Sequence, residues 1–205
     1  MHMAVTLDSS APRRSIRLII LPLLLLVGSC GVNTIPTLEE RVNAAWSEVL
    51  NQYQRRSDLV PNLVETVKGY AKHEEQVLEA VAQARSRVAQ MQLPANITEN
   101  PEAFQKFQES QQALTGALGR LIAVAESNPD LKANQNFLAL QSQLEGTENR
   151  IAVARRDYIE SVRQYNTELR TIPGRWWAAF LYPDAKPKQS FTIAEGTEQA
   201  PKVAF

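Results

Sequence analysis

The side chains that could carry out chemistry in this 205-residue chain are few and scattered. One cysteine, Cys30, closes the only strongly apolar run, and His73 is the single histidine beyond it. A lone thiol has no internal disulfide partner. Gly28-Ser29-Cys30-Gly31 is no nucleophile elbow, because no strand pattern precedes it. Metal centres draw three or four ligands with histidine or cysteine among them, and His73 sits among charged residues in "GYAKHEEQ", as a solvated helix side chain would. No glycine-rich phosphate loop is present. Carboxylates such as Glu39-Glu40, Glu65 and Glu74-Glu75 could pair for acid–base work. Their spacing reads instead as exposed helix charge, with Glu65 three residues before Lys68. Glu74 alone falls on an apolar seam, which marks it as a register-setter or a partner for Arg120 or Arg155. No catalytic residue, metal ligand or cofactor is expected. An enzyme built from His73, Glu74 and helix arginines is the remote alternative.

Cys30 has a different use. Arg13, Arg14 and Arg17 precede the run Leu18–Val27, which is broken only by Pro22, and the small residues Gly28 and Ser29 follow. Charged, apolar and small segments in that order make an export signal. A membrane-spanning helix competes with this reading. Residues 18–32 would reach about 22 Å as a helix, against a hydrocarbon core of about 30 Å. The arginines hold the N-terminus in the cytoplasm and send the rest across. Val27-Gly28-Ser29-Cys30 resembles the bacterial lipobox, in which the signal is cut between Ser29 and Cys30 and the cysteine is acylated. Two or three acyl chains suffice for stable attachment. Gly31, rather than aspartate, resembles cargo sorted to the outer membrane of a Gram-negative cell. In other cells the expected location is the outer face of the cell membrane.

The elements that follow read as helices. Residues 30–37 form an expected tether. Thr37 and Glu40 then make a capping box, with Val42, Trp46, Val49 and Tyr53 on one face. Pro61 kinks that helix or starts another. Beyond it Leu63, Val67, Tyr70, Glu74, Val77, Val81, Ala84, Val88 and Met91 alternate steps of three and four, a seam for one long helix. Asn100 caps, and Pro101 opens, a segment carrying Phe104, Phe107, Gln111, Leu114, Leu118 and Leu121. "NPDLKANQNF" supplies a turn and a cap. A last helix runs from about Lys132 through Leu144, Ile151, Tyr158 and Tyr165 until Pro173-Gly174. The expected fold is all-α, an elongated antiparallel bundle of about four long helices with a short irregular C-terminal tail. Only "QSFTI" (189–193) hints at a strand.

After Gly174 the character changes. Trp176, Trp177, Phe180, Leu181 and Tyr182 crowd into seven residues, a foot that can pack back on the bundle, meet a partner or touch a membrane. Trp176, Trp177 and Phe180 are the candidate partner surface. Charge excludes other partners. The whole chain carries 22 basic and 22 acidic residues. Residues 1–29 hold three of the basic and one of the acidic ones, so the remainder carries a net of −2. Nothing here attracts nucleic acid, and no small-molecule substrate is implied.

Three stretches give the chain a familiar look: "RRSDLVPNLVETVKGYAKHE" (55–74), "ALGRLIAVAESNPDLKANQNFLALQSQLEGTENRIAVARRDY" (117–158) and "APKVAF" (200–205). They resemble the LemA family, over essentially residues 38–205. The resemblance implies an antiparallel bundle of long helices and a role at membrane surfaces. It carries over no catalytic or ligand-binding residue. Some members look tethered by an uncleaved N-terminal helix, which the Cys30 setting departs from, and Trp176-Trp177 departs from the family's usual foot. The expectation is therefore a signal peptide over 1–29, a tether over 30–37, a LemA-like bundle over 38–174 and an aromatic foot and tail over 175–205. The function expected is binding or scaffolding of envelope or membrane proteins by a non-enzymatic lipoprotein. A membrane-shaping protein with an uncleaved anchor is the alternative.

Overall fold

The computed structural model of the chain describes residues 31–70 and 74–192. The signal segment, Ser29, Cys30, His73 and the closing "APKVAF" lie outside the described residues. Four long helices make the fold: α1 (Thr34–Lys68), α2 (Glu75–Gln90), α3 (Pro101–Ser127) and, after the single turn α4 (Pro129–Lys132), α5 (Gln135–Glu168). A short α6 (Gly174–Phe180) follows. At 1.5 Å per residue α1 and α5 are each about 50 Å long. They pack antiparallel along their lengths, and α2 packs on α3 in the same way. The result is the all-α antiparallel bundle that the periodicity demands.

The seams bury as their spacing requires. Phe104, Phe107, Gln111, Leu114, Leu118 and Leu121 of α3 are buried, as are Leu144, Thr147, Ile151, Ala154, Tyr158, Val162 and Tyr165 of α5. Caps form where amides and prolines call for them. The Asn100 side chain accepts from the Ala103 N–H, with Pro101 in the first turn. Asn128 and Asn134 cap α4 and α5 through their side-chain oxygens. Their amide nitrogens reach the end of α1, Asn134 donating to the Tyr70 hydroxyl at 2.8 Å.

Three expectations are corrected. First, α1 begins at Thr34, inside the expected tether. Thr37 makes no capping box, for its hydroxyl donates to the Asn33 carbonyl one turn back. Second, no new helix starts at Pro61: α1 continues through it. A mid-helix proline costs about 3 kcal/mol. Here Val60, Leu63 and Val67 stay on the buried seam across it, each worth about 1.5–3 kcal/mol when fully buried. Third, the seam from Leu63 to Met91 is not one helix. α1 stops at Lys68, and Glu74 is the exposed residue just before α2. Glu74 interrupts the apolar rhythm because the helix is interrupted there, not because it sets register. Among the described residues it pairs with neither Arg120 nor Arg155, and Arg155 lies instead over the Phe191 ring at 4.5 Å.

Candidate functional site

Two buried polar centres, neither singled out by the sequence reading, organise the bundle. The first is Arg56, 1% exposed in mid-bundle. Its Nη1 donates to Thr115 Oγ1 at 2.7 Å and to Glu148 Oε1 at 3.0 Å, and its Nη2 to the Gln111 side-chain oxygen at 2.6 Å. Its Nε has no partner among the described residues. The guanidinium thereby ties α1 to both α3 and α5. The signal was in the seam itself: three residues after Tyr53 and four before Val60, position 56 must face inward.

The second centre is Lys188, also buried. Pro183 and Pro187 keep the chain after α6 extended, and it runs back across the helices as a strap. Asn166 of α5 clamps the Lys188 backbone on both sides, accepting from its N–H and donating to its carbonyl, each at 2.9 Å. The Gln189 N–H donates to the Thr98 carbonyl at 2.6 Å, and the Tyr158 hydroxyl donates to the Gln189 carbonyl at 2.7 Å. Phe191 then enters a cluster of rings with Trp46, Phe104 and Tyr158, their centroids 5.0 to 6.1 Å from its own. Helix side chains and the Thr98 carbonyl thus take up the polar groups a strand would have offered. The strand hint at "QSFTI" comes to nothing over 189–192.

The Lys188 ammonium donates to Glu39 of α1 and to Glu99 of the short 3-10 turn Ile97–Glu99, both at 2.7 Å. Burial works to lower its pKa, but the two carboxylates outweigh burial and leave it raised. The ammonium also faces the Tyr165 ring at 5.5 Å. Burial, with the Glu39 charge, pushes the Tyr165 hydroxyl up to about 12. Burial alone raises Tyr158 well above its ordinary value. This is a structural clamp. The strap covers it on one side, and its acids and base are already satisfied by one another.

At the same end stands the foot. Gly174 opens α6 where no side chain fits, since a Cβ there would collide with the Glu168 carbonyl. The helix turns two faces outward and inward. Trp177 packs against the aromatic cluster, as do Ala178 and Tyr182. Trp176 and Phe180 stay exposed, at 54% and 79%. The structure therefore divides the candidate surface: Trp176 and Phe180 face outward, and Trp177 is the inward-packed post that holds them. Gly31, at a positive φ of 105°, lies against this post. A Cβ there would sit 3.7 Å from Trp177 Nε1 and 3.8 Å from Pro173 Cγ.

Grooves elsewhere gather little chemistry. One of about 620 Å³ between α1, α2 and α3 is lined by Leu50, Val88, Met91 and Phe107, with Tyr53 and Arg85 its ionisable groups and no carboxylate or imidazole. Among the described residues no group of three histidine, cysteine, aspartate or glutamate side chains is placed to hold a metal. No described helix is long and apolar enough to cross a membrane.

The fold and these centres define a class: an antiparallel helical bundle stapled by an internal extended strap, with one aromatic end. The LemA family pattern matches residues 45–205, and the chain belongs to the LemA family. It is also similar to two magnetosome proteins of Paramagnetospirillum magneticum, MamQ 1 and MamQ 2, at 27% identity over 162 residues in each case. The match covers 71% of this chain and 60% of each relative. The chain thus spans less than two thirds of the length of these relatives.

Proposed function

We propose that this protein is an exported lipoprotein, anchored by acyl chains on Cys30, whose bundle serves as a non-enzymatic scaffold for other envelope proteins. The observation that carries the reading is the junction between anchor and rod. Helix α1 begins four residues after Cys30, so whatever happens at that thiol is coupled directly to a stiff element about 50 Å long. A membrane anchor followed by so short a link sets the bundle close against the bilayer and holds its far end away from it. The chemistry of the described residues favours binding over catalysis, because the two buried cations, Arg56 and Lys188, are each paired with carboxylates. In a Gram-negative host the bundle would face the periplasm from the outer membrane. The magnetosome relatives suit the alternative, a membrane-organising protein that keeps its N-terminal segment.

Intact mass spectrometry of the membrane-extracted protein, with Cys30→Ser beside it, tests this. The expected mature chain starts at Cys30 and carries acyl mass, and the variant lacks that mass. A chain retaining residues 1–29 in both samples overturns the lipoprotein reading in favour of the uncleaved anchor.

A further inference from the structure

We infer that the foot of the bundle is a membrane-interface anchor, in which Ile172, Trp176, Phe180 and Leu181 enter the headgroup region of the bilayer that holds the N-terminal segment. This deepens the proposed function and rests on its claim that the N-terminal segment is seated in a membrane. Ile172 lies just before α6, and Trp176 and Phe180, four residues apart, share one face of that helix. With Leu181 they are 64%, 54%, 79% and 51% exposed. The described residues hold nine exposed large hydrophobic side chains, and these four fall within ten positions while the other five are dispersed. A concentrated apolar patch marks a contact surface.

Its place says what it contacts. Gly31 lies against Trp177 and Pro173 at this same end. Val27, the last residue of the apolar run, is four residues before Gly31, at most about 14 Å of fully extended chain. Whether acyl chains on Cys30 or the run itself enters the bilayer, the lipid surface lies within that reach of the foot. A single partner helix is about 10–12 Å across with its side chains, so there is scarcely room for a protein between foot and membrane. The composition fits lipid as well. Tryptophan and phenylalanine suit the interface between headgroups and acyl chains, and the exposed Arg175 beside Trp176 suits phosphate headgroups. Trp177, packed inward, transmits the orientation to the bundle.

The test uses the full chain, extracted from membranes and reconstituted into phosphatidylcholine–phosphatidylglycerol vesicles whose acyl chains are brominated near the headgroup. Flotation reports attachment, and bromine quenching reports which indoles touch lipid. The chain has three tryptophans, and Trp46 is buried in the core. The expected result is loss of about a third of the emission of floated protein, abolished in Trp176→Phe, which still floats. Floated protein without quenching, or quenching unchanged in Trp176→Phe, overturns the foot while leaving the anchor intact. Protein that does not float overturns both.

Discussion

The two halves of the bundle are held together by different means. Beyond the Arg56 layer the core is aliphatic: Val60, Leu63, Val67, Val81, Leu114, Leu118, Leu121 and Leu131, with Phe137 as its one ring. On the near side it is aromatic, built on Trp46, Tyr53, Phe104, Phe107, Tyr158, Tyr165 and Phe191, and it is crossed by the strap with its Lys188 clamp. Aliphatic seams tolerate many packings of similar volume. Ring clusters and buried charges tolerate fewer, because rings favour offset or edge-to-face contacts and each buried donor needs a partner. The demanding interactions are concentrated at the end where α1 begins.

Breaking the border between the halves should cost most. Arg56→Ala leaves Gln111 without its donor and opens a large cavity, with an expected loss of about 3–5 kcal/mol in denaturant unfolding. Arg56→Met fills the space and should cost distinctly less. If the two variants are equally mild, the polar layer does not unite the halves.

Lys188→Ala attacks the near half alone. Glu39 and Glu99 then face each other without a counter-ion, and about 3 kcal/mol should be lost. Limited proteolysis should show cleavage within 183–192 at protease levels that leave α2 and α3 whole. Equal protection across both halves would mean that the strap is held by Phe191 and not by the clamp.

These two residues also show how far the sequence could be read. The helices, their caps at Asn100, Asn128 and Asn134, and the buried faces of α3 and α5 were legible because a repeat of three and four leaves its mark on every turn. Arg56 was legible in principle, since the seam passes through it, but a cationic side chain is ordinarily discounted as surface. Lys188 was not legible. It lies in a proline-punctuated segment without periodicity, and its burial comes from partners 22 to 149 residues away. The break after Lys68 was hidden because the apolar rhythm resumes in phase beyond it. Trp176 and Trp177 were visible as a pair, but a helical turn of 100° between neighbours separates an outward ring from an inward one, and composition carries no such phase.

Gly174→Ala sharpens the comparison within the near half. The new methyl meets the Glu168 carbonyl, so α6 must shift, at an expected cost of about 1–3 kcal/mol. The far half should not feel it: amide exchange should quicken in α6 and the strap and stay unchanged in α3 beyond Leu114.

Alkaline pH separates the halves without any substitution. Tyr53, Tyr158, Tyr165 and Lys188 all belong to the near half, and all have pKa values raised in the folded chain. A group raised on folding keeps its proton longer than it does unfolded, so stability falls as pH rises through the unfolded values of about 10 to 10.5 toward the folded ones. Near-ultraviolet absorbance should show tyrosine ionisation together with loss of the near half's tertiary signal from about pH 10 upward. Ionisation of more than two of the five tyrosines near pH 10 with the fold intact would show that the aromatic half is open to water, since Tyr53, Tyr158 and Tyr165 are the three buried ones.

The smallest effect is expected at an ion pair that looks strong. Arg163 grips Glu160 with two hydrogen bonds of 2.6 and 2.8 Å, and together with Gln164 they hold the Glu160 carboxyl down to about 2. Both side chains are nonetheless solvent-exposed on one helix face, where screening and lost side-chain freedom cancel most of the attraction. Glu160→Gln should leave Tm unchanged within error at physiological salt, although it removes a shorter contact than the Arg56–Glu148 pair at 3.0 Å. Contact length ranks these two pairs in the opposite order from burial. A measurable drop for Glu160→Gln would mean that surface pairing, and not only the specified near half, sets the stability of this bundle.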